Sequence, residues 1–148
     1  MSIKTTLNEV LVRLFRNINA IEEQSIKSGS YKDMTTNDMH VIEAIGIVEP
    51  QNMTSVARVL MVTTGTLTIS VNSLVKKGFV ERARSEEDRR VVLVSLTDKG
   101  RSAFLDHQKF HEDMVDAVVE HLSVQEQEVL EHALGKLNHF FREKQKKH

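Results

Sequence analysis

Apolar residues recur at helical spacing along almost the whole chain, and in one stretch the period drops from 3.6 to 2. Leu7, Val10, Leu11, Leu14, Phe15, Ile18 and Ile21 mark a long amphipathic helix over Thr5–Lys27, capped near Thr5 or Thr6 and broken at Ser28-Gly29-Ser30. A second helix follows over Asp38–Val48, capped by Thr36 or Asn37 and ended at Glu49-Pro50-Gln51-Asn52, which holds the one proline of the chain. Val41, Ile42 and Ile45 line one side of it and His40, Ala44 and Ile47 the other, so it is predicted to lie between neighbours with His40 buried. Met53–Leu60 is a short amphipathic helix introduced by Thr54 or Ser55, and Met61-Val62-Thr63 is a turn. Thr63 or Thr64 caps the next helix, whose Leu67, Val71, Leu74 and Val75 face inward. Lys76 and Lys77 suit its last turn, and Gly78 stands where a left-handed cap would stop it.

The period then changes. Phe79-Val80-Glu81-Arg82 runs to a charged tip, Arg84-Ser85-Glu86-Glu87-Asp88-Arg89-Arg90, and Val91–Leu96 returns as a β-branched strand. Thr97-Asp98-Lys99-Gly100 opens a long helix, roughly Asp98–His121, with Phe104, His107, His111, Met114, Val115, Val118 and Leu122 inward. Ser123-Val124-Gln125-Glu126 has capping-box spacing and starts the last helix, with Leu130, Ala133, Leu134, Leu137, Phe140 and Phe141 on its apolar face.

The expected fold is therefore mainly α with a small β wing. N-terminal helix and loop occupy 1–34, a winged helix-turn-helix 35–100 and C-terminal helices 101–148. A helix-turn-helix followed by a hairpin is a unit that binds double-stranded DNA, with its second helix sized for the major groove. One copy of that module cannot cover three long apolar stripes. Pairing the terminal helices of two chains would, making a homodimer with two recognition helices on one face; terminal helices folded back on a monomer are the alternative.

Composition narrows the function. The chain has 148 residues, 40% hydrophobic and 28% charged, ordinary for a globular domain. No apolar run approaches a transmembrane span, and Met1–Glu9 lacks a signal-peptide pattern, so a cytoplasmic protein without a membrane partner is expected. The absence of Cys removes disulfides, thiolate metal sites and thiol nucleophiles together. There is no phosphate-cradling Gly loop, no nucleophile elbow and no metalloprotease His-Glu pair, and Thr63-Thr64-Gly65-Thr66 lacks P-loop spacing. An enzyme is not expected. Net charge is −1, yet Lys76–Arg101 carries eight basic residues against five acidic ones, a local bias suited to DNA.

With Leu67, Val71 and Leu74 inward, the helical wheel turns Thr64, Gly65, Ile69, Asn72, Ser73 and Lys76 outward to varying degrees. Asn72 is the best direct reader, able to bond adenine bidentately, and Ile69 could meet a thymine methyl. Thr63, Thr64 and Thr66 suit phosphates at the helix start, or serve only as caps.

Val56-Ala57-Arg58-Val59-Leu60, Leu74-Val75-Lys76-Lys77-Gly78, the Asp88-Arg89-Arg90 tip and Leu96-Thr97-Asp98-Lys99-Gly100 together make Thr36–Arg101 resemble the MarR family of winged-helix repressors. Within it, Leu60–Thr66 and Glu81–Glu86 look most like the FabT-type repressors of bacterial fatty-acid synthesis; the terminal helices match more loosely. The resemblance implies a homodimer that represses fatty-acid biosynthesis genes, with long-chain acyl groups on acyl carrier protein as the corepressor. It also implies that Asp88 orients Arg90 for the minor groove; Arg84 and Arg89 are the phosphate candidates at the wing. A ligand-free architectural DNA binder is the simpler alternative.

An acyl chain needs a dry, elongated slot where helices meet, and the candidates are Leu14, Ile18 and Ile21, then Met39, Ile42 and Ile45, then Phe104, Phe110 and Met114. No resident cofactor or metal is expected. The alternative is zinc: His107 and His111 lie one turn apart, and with His40 and Glu22 they form a plausible ligand set. His40, His107 and His111 also fall at positions resembling the ligands of a zinc-responsive branch of the same family. A metal-free polar junction is the other reading of that cluster.

Overall fold

A computed structural model of the chain describes residues 1–147. The first helical stretch is α1 (Ile3–Glu9), a π-helical turn at Val10–Leu14, and α2 (Phe15–Ser28). Ser2, not Thr5 or Thr6, caps it by accepting from the Thr5 N–H at 3.2 Å. The expected helix is thus present but carries one wide turn, which shifts the apolar register partway along it.

Next, α3 (Thr36–Ile45) starts from a capping box in which Thr35 and Asp38 exchange backbone and side-chain bonds. It stops at Gly46, whose φ of 71° only glycine adopts freely, rather than running on toward Pro50. Ending there leaves Ile47 in a loop, where it and Ala44 still pack partly against the core. His40 is exposed, not buried.

The helix-turn-helix is α4 (Met53–Leu60), capped by Asn52 rather than Thr54 or Ser55, and α5 (Thr64–Lys77), capped by Thr63. Met61 makes the turn in the left-handed region at φ 56°, and the chain bends by 104° between the two helices. Gly78, at φ 85°, closes α5 as expected. The sheet has one more strand than the sequence pattern suggested. Strand β1 (Gln51–Asn52) lies antiparallel to β3 (Val92–Leu96), whose other edge pairs with β2 (Val80–Arg84), giving the order β1-β3-β2. The β2–β3 register runs from Val80 opposite Leu96 to Arg84 opposite Val92.

Two compact units result, Met1–His107 and Gln108 onward. The expected boundaries at 34/35 and 100/101 both fall within the first. Its core joins Val41, Ile42 and Ile45 to Val56, Leu67, Val71 and Leu74, sealed by Phe79, Val94 and Leu96 from the sheet side. Tyr31 packs edge-on against Phe79 at 5.4 Å. Helix α6 (Asp98–Val119) begins against this core at Gly100, where a Cβ would overlap the Phe79 carbonyl. The second unit holds the rest of α6 and α7 (Val124–Gln145), joined at a corner that Ser123 and Glu126 cap reciprocally, as their spacing predicts. No residue of α7 is buried, and Leu134, Leu137, Phe140 and Phe141 all stand in solvent. Among the described residues no single helix is long and apolar enough to cross a membrane.

Candidate nucleic-acid interface

The outward face of α5 follows from its inward one. Leu67, Val71 and Leu74 are sunk in the core, which leaves Thr64, Gly65, Thr66, Ile69, Asn72 and Lys76 exposed, with Ser73 half-buried. Ile69 is 73% exposed, a large aliphatic side chain held in water with nothing to cover it. At the helix start the Thr63 hydroxyl accepts from the Thr66 N–H at 3.1 Å and bonds the Thr66 hydroxyl at 3.0 Å. Capping therefore accounts for Thr63, while the first-turn N–H groups of Thr64 and Gly65 lie ahead of any intrahelical acceptor.

The other end of α5 is bolted down by groups far away in the sequence. Lys77 Nζ donates to Asp38 Oδ2 and to the Asp33 carbonyl, both at 2.7 Å. Asp38 is buried, so this ion pair is shielded and ties α5 to the start of α3. Lys99 Nζ donates to the Lys77 carbonyl at 2.8 Å and lies 4.2 Å from the Phe79 ring centroid, and Thr97 donates its hydroxyl to the Gly78 carbonyl at 2.6 Å. Asn37 Nδ2 bonds Ser70 on the flank of the helix at 3.1 Å. The helix is rigidly mounted with one polar face turned outward.

At the wing tip Asp88 and Arg90 form a forked pair, Nε to Oδ1 at 3.1 Å and Nη2 to Oδ2 at 3.2 Å, and the Arg90 N–H also donates to Oδ1. The Arg90 guanidinium and then its backbone N–H hold the Asp88 carboxyl below its ordinary pKa. Arg90 itself is about nine-tenths exposed, so the acidic partner aims it without covering it. Arg84 Nη1 crosses the hairpin to the Arg89 carbonyl at 2.8 Å. Arg84 thus braces the tip, and the Arg89 side chain remains exposed beside it. Between the wing and the start of α4 lies a concave space of about 640 Å³ lined by Asn52, Thr54, Ser55, Arg58 and Arg90.

Asn72 is not as independent as the sequence suggested. Arg82 Nη1, from the middle of β2, donates to its Oδ1 at 2.6 Å. Spacing along the chain carried no sign of Arg82, Asn37 or the Asp38–Lys77 pair; only the packing of helix on sheet brings them together.

The histidine cluster is partly assembled within the first unit. His107 is buried, and its Nε2 lies 2.9 Å from Glu43 Oε1 and 3.1 Å from Glu22 Oε1. Burial alone would lower the His107 pKa, but Glu43 and then Glu22 outweigh it and raise the value above the ordinary histidine range. His40 Nε2 is 3.6 Å from the same Glu22 oxygen. Glu43, missed in the sequence, sits three residues after His40 on α3, and that spacing was its one available signal. His111 lies one turn beyond His107 on α6, in the second unit. Of the slot candidates, Met39, Ile42 and Ile45 are buried in the core, Ile18 and Phe104 are half-buried, and Leu14 and Ile21 are exposed. Phe110 and Met114 belong to the second unit and are half-buried there.

Residues 24–106 match the family described as transcriptional regulator SarA/Rot. FabT of Streptococcus pneumoniae, solved in complex with DNA, is 38% identical and superposes with a TM-score of 0.90, over 95% of this chain and 98% of that one. The MarR family transcription regulator SP03579 shares the fold at a TM-score of 0.81 and 17% identity, over 97% of this chain and 93% of that one. SarZ of Staphylococcus haemolyticus is 40% identical over 68 residues, which is 46% of each chain. The chain spans about half the length of the curated relatives it matches.

Proposed function

The chain belongs to the SarA/Rot family of winged-helix transcriptional regulators, and from that premise we propose that it is a homodimeric, sequence-specific repressor that binds double-stranded DNA in the cytoplasm. The observation that carries this is the face of α5: a largely polar, solvent-exposed helix surface held at its C-terminal end and flank, with Arg90 at the tip of the wing. Such a surface suits a groove of stacked bases flanked by phosphates. Dimerisation is supported by α7, whose apolar residues would otherwise remain in solvent. Its operator would be a pseudo-palindrome, half-sites about 10–10.5 bp apart centre to centre or a multiple of it.

The regulated genes are those of fatty-acid biosynthesis in this reading, and long-chain acyl-acyl carrier protein strengthens DNA binding. Support comes from the motif resemblance at Leu60–Thr66 and Glu81–Glu86 and from the 38% identity to FabT across nearly the full length of both chains. The test is genome-wide footprinting followed by anisotropy on the recovered operator, with and without acylated carrier protein. Recovery of fatty-acid promoters, with affinity raised about 5–150-fold by the acylated carrier, is expected. Unrelated promoters and indifference to the carrier would refute the pathway while leaving DNA binding intact.

One observation favours a second reading. Of the set Glu22, His40, His107 and His111, His107 Nε2 and His40 Nε2 lie 3.1 and 3.6 Å from the same Glu22 oxygen, so nitrogen and oxygen donors meet at that carboxylate. These residues fit zinc by donor type, and a bound ion would join α2, α3 and α6 within the first unit. Stoichiometric zinc in purified protein, with DNA affinity that follows zinc and collapses in His107→Ala, would replace the lipid reading by this one.

A further inference from the structure

Resting on the reading of α5 as the DNA-facing helix, we propose that Asn72 and Arg82 act as one reading unit whose outward face offers only hydrogen-bond donors, so that it selects guanine over adenine at the base it meets. Arg82 is the positioning residue of this pair.

The chemistry leaves little freedom. Arg82 Nη1 lies 2.6 Å from Asn72 Oδ1. A guanidinium has five N–H donors and no acceptor, so the carboxamide must turn its oxygen toward Arg82 and its NH₂ away. A bond from a charged donor is of the stronger kind, and the amide does not flip readily for a neutral base. Arg82 is held in place from below, because its backbone pairs opposite Val94 at the centre of the β2–β3 ladder. Asn72 is fixed by α5, one position after the fully buried Val71. Both side chains are solvent-exposed, so the pair lies on the surface DNA would approach.

A free asparagine suits adenine because it can accept from N6 while donating to N7. With Oδ1 turned to Arg82 and one of its two lone pairs taken there, the end of Asn72 that faces away is the NH₂, with its two N–H donors. In the major groove guanine presents two acceptors, O6 and N7, and is the full match for such a face. Thymine offers one acceptor, O4, and cytosine presents a donor. Adenine leaves its N6 amine facing an N–H, an unpaired and repulsive contact.

The test uses the full-length protein and a randomised duplex library. Sites selected by the parent are remade as single-base variants and measured by fluorescence anisotropy at fixed salt. The parent is expected to require a guanine whose change to adenine weakens binding about 5–150-fold, and Asn72→Ala should erase that preference alone. Arg82→Met should lose or invert the preference toward adenine, since the released carboxamide can then turn its oxygen outward. Arg82→Lys, still a donor to Oδ1, should keep guanine. Both are surface changes, and a thermal melt checks folding; Arg82→Lys against Asn72→Ala decides the matter should Arg82→Met not fold. Adenine preferred by the parent at the Asn72-dependent position would overturn the proposal. So would an Arg82→Met protein that weakens on all duplexes equally with a shallower salt slope, the mark of a phosphate contact. If the parent selects no duplex at all, the DNA reading itself falls, and this inference with it.

Discussion

Replacing Gly100 by alanine should destabilise the protein, although the same change in most helices does the opposite. Gly100 stands in the first turn of α6, where alanine gains about 0.5–1 kcal/mol from reduced backbone entropy in the unfolded chain. Against that, a Cβ at this position overlaps the Phe79 carbonyl oxygen and comes within 3.1 Å of its carbon and 3.2 Å of Leu96 Cβ. The obstructing atoms are backbone, and the Phe79 carbonyl also accepts the Thr97 N–H at 3.0 Å, so it cannot swing aside without giving up that bond. Overpacking of this kind costs about 1–3 kcal/mol or more, and the net loss should be about 1–2 kcal/mol. With a urea slope of about 1–3 kcal/mol per molar, the midpoint should fall by about 1 M at fixed protomer concentration. Gly135→Ala is the internal control. It lies mid-helix in α7 with nothing within 4 Å of a Cβ, so its midpoint should rise slightly. The start of α6 also places Lys99 on the last carbonyl of α5. Gly100→Ala should therefore weaken operator binding even where the protein remains folded. Equal midpoints for the Gly100→Ala protein and its parent would show that α6 does not press on the sheet as described.

Arg90→Ala should reduce operator affinity by about 1–3 kcal/mol with the melting curve unchanged, since the side chain is exposed at a hairpin tip; equal binding by anisotropy would rule out the wing as a contact. Leu134→Glu or Leu137→Glu should convert the dimer into monomer or unfolded protein in sedimentation, each buried leucine being worth about 1.5–3 kcal/mol; an unchanged dimer would place the interface elsewhere. In metal-free protein the raised pKa of His107 means its ion pairs contribute stability that is complete below about pH 6.5 and is lost as pH rises through the higher folded value. The melting temperature should thus fall between pH 6 and alkaline pH more steeply for the parent than for His107→Gln; parallel slopes would mean that Glu22 and Glu43 do not sustain the imidazolium.

What the sequence determined by itself was whatever depends on neighbours within a turn or two. The inward residues of α5, its arrest at Gly78, the Ser123–Glu126 box and the change of period at the hairpin are local facts of backbone geometry and burial, legible from spacing. Even locally, the first helix hid a π-turn and the caps fell on Ser2, Thr35 and Asn52, because several polar residues near each helix start could cap it and only the path of the incoming chain chooses. Tertiary structure decided the chemistry of the surface. Whether His40 is covered depends on what packs around α3, and whether Lys77 is a free cation depends on Asp38, 39 residues away. Asn72 read alone is an adenine reader; set against Arg82 on a strand ten residues on, its oxygen is turned to the guanidinium and its NH₂ away from it. Helical periodicity records which side of a residue meets the core. A hydrogen bond formed on the outer side depends on how a helix and a sheet are laid together, and that arrangement has no period to read.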